Sequence, residues 1–361
     1  MEPPVVVVGM SSEACQDPAI TGGKGSSLAV LASVVDVPPF FVVSSFAFRQ
    51  LFQEDSKTVS LVEDLQKQTE WSKIDQRSKA LRRHIKSVQL SKEVQTAIES
   101  AYEILCSSLS EPDLSVAVRS SGTVEDSADA SFAGQHSTYL NQQGKAAVVL
   151  SVKKCWASLF NSRASEYRNK NNIKHSSALL AVVVQAMVVP TVAGTGFSCE
   201  LASGGFPGLN VTALWGLGEG LVSGDLTADD WLFAPGSLCL IRRVKGSKRA
   251  RYQCSKGGGI ELVENTPELR NAFCLSTELA RDIASKLARV HAHYQAKFGY
   301  EHVDTEFAVG LGERVFFLQC RPVVPVSGNV MTVADGHPED VIVAGRFSII
   351  CFCEMINFLS F

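Results

Sequence analysis

The chain has 361 residues and 45% hydrophobic content, enough to build the cores of about two compact units and too much for a disordered polypeptide. Its 37 acidic residues nearly offset 34 basic ones, leaving a formal net charge of -3. No global field draws such a chain to nucleic acid, and any phosphate it binds must be held locally.

The N-terminal MEPPVVVVGM has neither a basic n-region nor an apolar core of signal-peptide length, so no secretion signal is read there. Residues 22–35 place the glycine cluster GGKGSS ahead of Leu28, Leu31 and Val35, a loop running into an amphipathic helix with Lys24 at its N-terminal end. This is no Walker A loop. That motif needs Ser or Thr directly after the lysine and a glycine where Pro18 stands. Lys24 is either a phosphate contact or a solvent-facing lysine.

Ser91 precedes Val94, Ile98, Ala101 and Leu105, one apolar stripe on a capped helix. A strand-like SVAVR then meets RSSGTVEDSADASFAGQHSTYLN, too polar and glycine-punctuated for a helix. Arg119 ends that strand, and a buried arginine needs an anionic partner, whether Glu125, Asp126 or a ligand. Val148, Val152, Cys155, Trp156, Leu159 and Phe160 share a helical face, with Lys153, Lys154, Arg163 and Arg168 on the outer faces. The apolar run Leu179 to Val189 is about half the ~20 residues a membrane span needs and reads as a buried strand.

Glycines recur from 194 to 224, in GTGF, SGGFPG and WGLGEGLVSGD, between strand-like pieces such as NVTALW. GLGEG fails the dinucleotide pattern because Leu221 replaces the third glycine. Thr266 and Pro267 open one long helical stretch with Leu275, Leu279, Ile283, Leu287, Val290 and Tyr294 on one side, closed by Gly299. His291 and His293, two apart on it, do not face one another as metal ligands would. The ten cysteines show no CxxC pair or zinc spacing, which suits reduced thiols in a cytoplasmic protein.

HVDTEFAVGLGERVFFLQCRPV reads as a β-hairpin around a short GLGE turn. Pairing Val309 with Arg314 sets Asp304 opposite Gln319 and Glu306 opposite Phe317, with Arg321 on the same side. Two carboxylates beside an amide oxygen are the hard donors Mg²⁺ takes together with substrate phosphates, and Arg321 offers a planar fork for a phosphate oxygen. The plainer alternative is an exposed charged sheet face whose Asp/Arg pair contributes ~0–1 kcal/mol. Helices and strands are mixed without regular βαβ alternation, so the fold class is α+β, with mixed or antiparallel sheets and flanking helices.

Taken together, GGKGSSL at 22, VAVRSSGTVEDSADASFAGQHSTYLN at 116, CWASLFNSRASEYR at 155, VVVQAMV at 182, GLGEGLVSGDLTADDW at 216, and VDTEFAV with FLQCRP near the end resemble one family. It is the N-terminal nucleotide-binding domain of phosphoenolpyruvate synthase and pyruvate phosphate dikinase, also similar to rifampicin phosphotransferase. The resemblance covers roughly residues 5–325 and implies an ATP-grasp-like domain over 1–325, with a subdomain split near 190–200. It implies ATP and Mg²⁺ as cofactors. Lys24 and Arg119 would contact ATP phosphates, Gly134 and Thr138 line the nucleotide site, and Gln185 lie near the base. Asp304, Glu306, Gln319 and Arg321 would complete the site, Glu306 and Gln319 holding the metal and Arg119 and Arg321 acting catalytically.

There are departures from the family pattern. Gly122 stands where the family often has alanine, and CELASGGFPG is looser than usual. Residues 326–361 read as a linker and an apolar tail, without the family's glycine-rich phosphohistidine motif. The resemblance therefore implies a dikinase-type phosphotransferase part expected not to complete turnover alone. A phosphohistidine domain in a longer form, and pyruvate or another small acceptor, would be its partners; nucleic acid and membrane would not. A rifampicin phosphotransferase-like or glucan dikinase-like part, and a non-catalytic nucleotide-binding regulatory fragment, stay open as alternatives.

Overall fold

Two antiparallel sheets, one of five strands and one of six, organise the residues described in this computed structural model, which are 5–123, 137–200 and 206–323. Each belongs mainly to one of two compact units. The expected linker and tail over 326–361 lie outside the described residues.

The first unit comprises Met1–Ser33, Val37–Val188 and Cys254–Ile260. Its elements run β1 (Val7–Gly9), α1 (Pro18–Leu31), β2 (Phe40–Val43), α2 (Ser45–Glu54), α3 (Ser56–Gln66), α4 (Trp71–Ser87) and α5 (Lys92–Ser108), then β3 (Val116–Gly122), β4 (Thr138–Gln142), α6 (Lys145–Ser158), α7 (Ser162–Lys170) and β5 (Leu180–Ala186). The strands pair in the order β1-β2-β5-β3-β4, all antiparallel. The apolar run read as a buried strand is β5, buried at every position because it sits mid-sheet with both faces covered.

Strand alternation sorts the two faces of this sheet. Phe41, Val43, Val116, Val118, Val182 and Val184 join Phe48, Trp156 and Phe160 in one core. There the rings of Phe48 and Trp156 lie 5.7 Å apart. α1 packs against β3 and β5. Its Gly25 sits next to Val42, a residue of the opposite alternation.

α1 is not continuous. Gly22 interrupts it at φ 71° and ψ 172°, a conformation open almost only to glycine. Ser121 of β3 bridges the break: its hydroxyl donates to the Thr21 carbonyl at 2.7 Å and accepts from the Gly25 N–H at 3.0 Å. The GGKG segment is therefore a break that starts a fresh helical turn, and Lys24 lies in that turn.

Two details of the first unit differ from expectation. β3 continues to Gly122, so Arg119 is mid-strand, paired with Thr138 and Val183. Arg168 does not line an outer face but is buried. A helix of nine residues turns it inward, where its Nε donates to His175 Nδ1 at 2.8 Å and its Nη2 donates to the Leu159 carbonyl. Because Nδ1 accepts, Nε2 carries the proton and donates to Asn169 Oδ1 at 2.9 Å, so His175 is held neutral.

The second unit comprises Val34–Asp36, Val189–Gln253 and Glu261–Phe361. Its elements are β6 (Val192–Glu200), β7 (Phe206–Trp215), α8 (Glu219–Val222), β8 (Asp229–Phe233) and β9 (Leu240–Val244), followed by the hairpin of β10 (Ala250–Cys254) and β11 (Ile260–Glu264), then α9 (Pro267–Asn271), α10 (Thr277–Phe298), β12 (Val303–Val309) and β13 (Val315–Pro322). The main sheet has the order β13-β12-β6-β7-β8-β9, antiparallel throughout.

The single long helix expected from Thr266 to Gly299 is in fact two. After α9 the chain extends at Ala272, and Ser276 restarts the helix by accepting from the Leu279 N–H at 3.0 Å. The break satisfies a buried charge. Asp229 accepts from the Cys274 N–H at 2.7 Å and the Gly246 N–H at 2.8 Å while paired with the fully buried Lys248 ammonium. A continuous helix could not turn the Cys274 N–H to that carboxylate. Gly299, left-handed at φ 72°, ends α10 as expected.

Ile283, Leu287, Val290 and Tyr294 of α10 cover one face of the sheet. Gly196 permits the close approach, since a Cβ there would stand 2.9 Å from Thr305 Oγ1 and 3.2 Å from a Leu287 methyl. Residues that alternate with Gly196 and Thr305 lie on the other face, and these include Thr195, Phe197, Asp304 and Glu306.

Gly22→Ala is expected to destabilise the chain by roughly 3 kcal/mol, because the new methyl would stand 2.3 Å from the Ser121 carbonyl oxygen. A denaturant midpoint unchanged from the parent would disprove this.

Burial, and secondarily the Arg168 charge, lower the His175 pKa to about 3. The unfolded chain takes up that proton below about pH 6.5 and the folded chain does not, so stability should be full above that pH. It should fall as the medium is acidified toward pH 3, with a slope approaching about 1.4 kcal/mol per pH unit. Thermal melts of the parent and His175→Asn between pH 7 and 5 check this, the variant showing the flatter profile.

Candidate functional site

The face of the second sheet opposite α10 gathers the most concentrated set of charged and amide side chains that the sequence singled out. Across the hairpin, Asp304 is paired with Arg321 and Glu306 with Gln319, while β6 sets Phe197 beside Asp304 and Thr195 beside Glu306. This corrects the expected register of Val309 with Arg314, in which Asp304 met Gln319 and Glu306 met Phe317. Val309 instead pairs with Val315, and a bulge falls between Glu306 and Phe307. The turn is a short 3-10 segment, Leu311–Glu313, and its extra length moves every partner along.

The corrected register strengthens the grouping, because all four residues become direct cross-strand partners. Arg321 Nε donates to Asp304 Oδ2 at 2.7 Å, and Nη2 approaches the same oxygen at 2.6 Å. Asp304 is only 7% exposed. Burial raises its pKa, opposed by the Arg321 cation and reinforced by the neighbouring Glu306 charge. Glu219, at the start of α8, is raised as well, first by burial and then by the charges of Glu306 and Asp225.

A recess of about 20 Å³ opens here, lined by Thr195, Phe197, Leu221, Val222, Asp304, Glu306 and Arg321. Leu221 and Val222 supply an apolar wall against which charge interactions are less screened than in bulk water. Sequence reasoning missed Glu219, Thr195 and Phe197. Glu219 was in view inside GLGEG, where only the glycines drew notice. Period-two alternation put Thr195 and Phe197 on one side of a strand, but nothing local said that this strand pairs with β12.

The first unit carries its own convergent set. Gln185 pairs with Ala117 and Arg119 with Val183 across β5 and β3, so Gln185 and Arg119 share a face, and Thr138 joins them opposite Arg119 on β4. α1 packs on this sheet and brings Lys24 in its restarted turn. Gln185 is buried, with its amide 3.5 Å from the Pro38 carbonyl. Gly134 lies outside the described residues, as do Glu125 and Asp126, so the pairing weighed for Arg119 with them does not enter.

The donor set fits a hard cation in kind. Glu306 and its cross-strand partner Gln319 offer oxygens, and the mutual repulsion of Glu219 and Glu306 would be relieved by positive charge. Among the described residues no group of three or more His, Cys, Asp or Glu side chains is disposed to hold a metal by itself. A cation taken here would complete its shell with ligand phosphates and water.

Comparison with known proteins establishes the family of the chain. Residues 18–333 match the model for the pyruvate phosphate dikinase AMP/ATP-binding domain. The chain belongs to that family. It is 34% identical over 332 residues to a probable phosphoenolpyruvate synthase of Methanothermobacter thermautotrophicus, covering 91% of this chain and 47% of the relative. The phosphoenolpyruvate synthase of Escherichia coli is 34% identical, covering 90% and 42%. The rifampicin phosphotransferase of Bacillus cereus is 32% identical, covering 91% and 36%. The chain thus spans less than half the length of these relatives. A solved D-cycloserine synthetase aligns over 84% of this chain and 62% of its own, at 11% identity and a TM-score of 0.29, too low to bear on the fold. No helix among the described residues of this family member is long and apolar enough to cross a membrane.

Arg321→Met should leave the Asp304 carboxylate buried without its cation and cost on the order of 3 kcal/mol. Loss of the cation raises the folded-state pKa of Asp304 further above its unfolded value, so the deficit should grow as pH rises through that window. The melting temperature of the variant should therefore fall further below the parent at pH 8 than at pH 5, and adding Asp304→Asn should recover most of the difference. Equal deficits at both pH values would refute the pairing as a stabilising element.

Proposed function

We propose that this chain is the Mg²⁺-dependent ATP-binding part, ATP-grasp-like in fold, of a phosphoenolpyruvate synthase-like phosphotransferase. The observation that carries the reading is the direct cross-strand register of Asp304 with Arg321 and Glu306 with Gln319 on one sheet face. Lys24 and Arg119 are assigned to ATP phosphates, Gly134 and Thr138 to the lining of the nucleotide site, and Gln185 to the neighbourhood of the base. In the second unit Glu306 and Gln319 are assigned to hold Mg²⁺, and Arg321 to a phosphate oxygen. Bound Mg²⁺ supplies Lewis-acid neutralisation of phosphate charge.

The chain's own residues would act by position. Arg321 is held by Asp304, so its fork meets a phosphate with little reorganisation, which is how fixed charges lower a barrier. Arg119, mid-strand in a rigid sheet, and Lys24, at a helix start, counter charge developing on transferred phosphate. Transfer onward, to a phosphohistidine and then to pyruvate or another small acceptor, is assigned to further domains of a longer form. Identity to a rifampicin phosphotransferase supports a second reading, in which the ATP chemistry is shared and the acceptor differs.

Calorimetric titration with ATP should give saturable binding in the presence of Mg²⁺ and markedly weaker binding without it. Glu306→Gln should weaken the Mg²⁺-dependent part by about tenfold or more, as loss of a charged ligand-facing group does, and Lys24→Ala should weaken binding with or without the metal. No binding by a demonstrably folded chain would overturn the proposal.

A further inference from the structure

Thr195 is buried to 8% exposure, and its Oγ1 has no hydrogen-bond partner among the described residues. A buried hydroxyl left in that state is destabilising, and valine, of nearly the same shape and at home in a strand, would serve packing better. The fold therefore gains nothing from the hydroxyl itself. Its position is informative: Thr195 is the β6 residue directly paired with Glu306, and both line the same recess.

The recess measures about 20 Å³. One water needs roughly 10–15 Å³ of such space and two to four polar partners. Thr195, Asp304 and Glu306 line it together with Phe197, Leu221, Val222 and Arg321. Direct cross-strand partners stand about 5 Å apart at Cβ, a span that a single water can bridge.

We propose that Thr195 and one internal water form a positioning device for Glu306. The water accepts from the Thr195 hydroxyl and donates to one carboxylate oxygen of Glu306, orienting the other oxygen toward a cation bound with nucleotide. The carboxylate of Asp304 accepts a hydrogen bond from the water's second O–H. The device rests on the reading of Glu306 as the residue that meets Mg-ATP. Thr195 touches neither metal nor nucleotide and acts only through Glu306.

The test uses the whole chain as wild type, Thr195→Val and Thr195→Ser. A crystal structure of the nucleotide-free wild type should show one ordered water within hydrogen-bond distance of Thr195 Oγ1 and of the Glu306 carboxylate, absent in Thr195→Val and retained in Thr195→Ser. By titration, Thr195→Val should bind ATP with Mg²⁺ about tenfold more weakly, the loss of one charge-assisted hydrogen bond. Its affinity for ATP without metal should be unchanged, and Thr195→Ser should recover the wild-type value. A purely structural role would shift both affinities together or neither. An empty recess in the wild type, or a Thr195→Val variant that melts higher and binds Mg-ATP equally well, would overturn the proposal. If the wild type binds no Mg-ATP at all, the functional reading fails instead, and the water's presence or absence still decides whether Thr195 holds Glu306.

Discussion

Antiparallel pairing holds opposed side chains within about 5 Å of each other. In the hairpin of β12 and β13 that constraint sets Asp304 against Arg321 and Glu306 against Gln319. A carboxylate as buried as Asp304 is tolerated because a guanidinium lies on it, and Arg321 in turn is held ready because its partner cannot leave the strand. The rest of the second unit follows from the need to cover the two faces of this sheet. α10 covers the first through Ile283, Leu287 and Val290, drawn close by Gly196, while the short helix α8 walls the second with Leu221 and Val222.

The first unit solves a related problem by close approach of backbone. Ser121 can hold both sides of the break in α1 only because Gly22 has no side chain, and that contact fixes where the helix restarts and so where Lys24 stands. Arg119, Thr138 and Gln185 are carried to one face of the same sheet by pairing alone. In both units the charged groups are borne by strands or a helix start that packing has already immobilised, which is the condition for preorganised electrostatics.

Several elements were legible in the chain because their causes are local. Ser91 caps its helix, Gly299 ends another, and the run in β5 is apolar throughout since both its faces are covered. The glycine cluster reads by sequence as a loop ahead of a helix, whereas the helix already begins at Pro18 and breaks at Gly22, so that Lys24 still lies in the turn that restarts it. The errors share one origin. Arg168 looks like a surface residue by helical spacing, yet a buried histidine and a carbonyl await it. The split between α9 and α10 answers to Asp229, far away in sequence. The hairpin register failed because a bulge leaves no mark in an alternating pattern.

By itself, then, the amino-acid sequence determined the α+β character and the family, because periodicity, capping and motif spacing are properties of neighbours along the chain. Tertiary structure alone decided that Asp304 faces Arg321, that Glu219 adds its charge to Glu306, and that the Thr195 hydroxyl is buried with no hydrogen-bond partner among the described residues. Those facts depend on which strands pair and by how many residues they are offset, and that offset is set by packing and turn geometry summed over the whole sheet rather than by any segment of it.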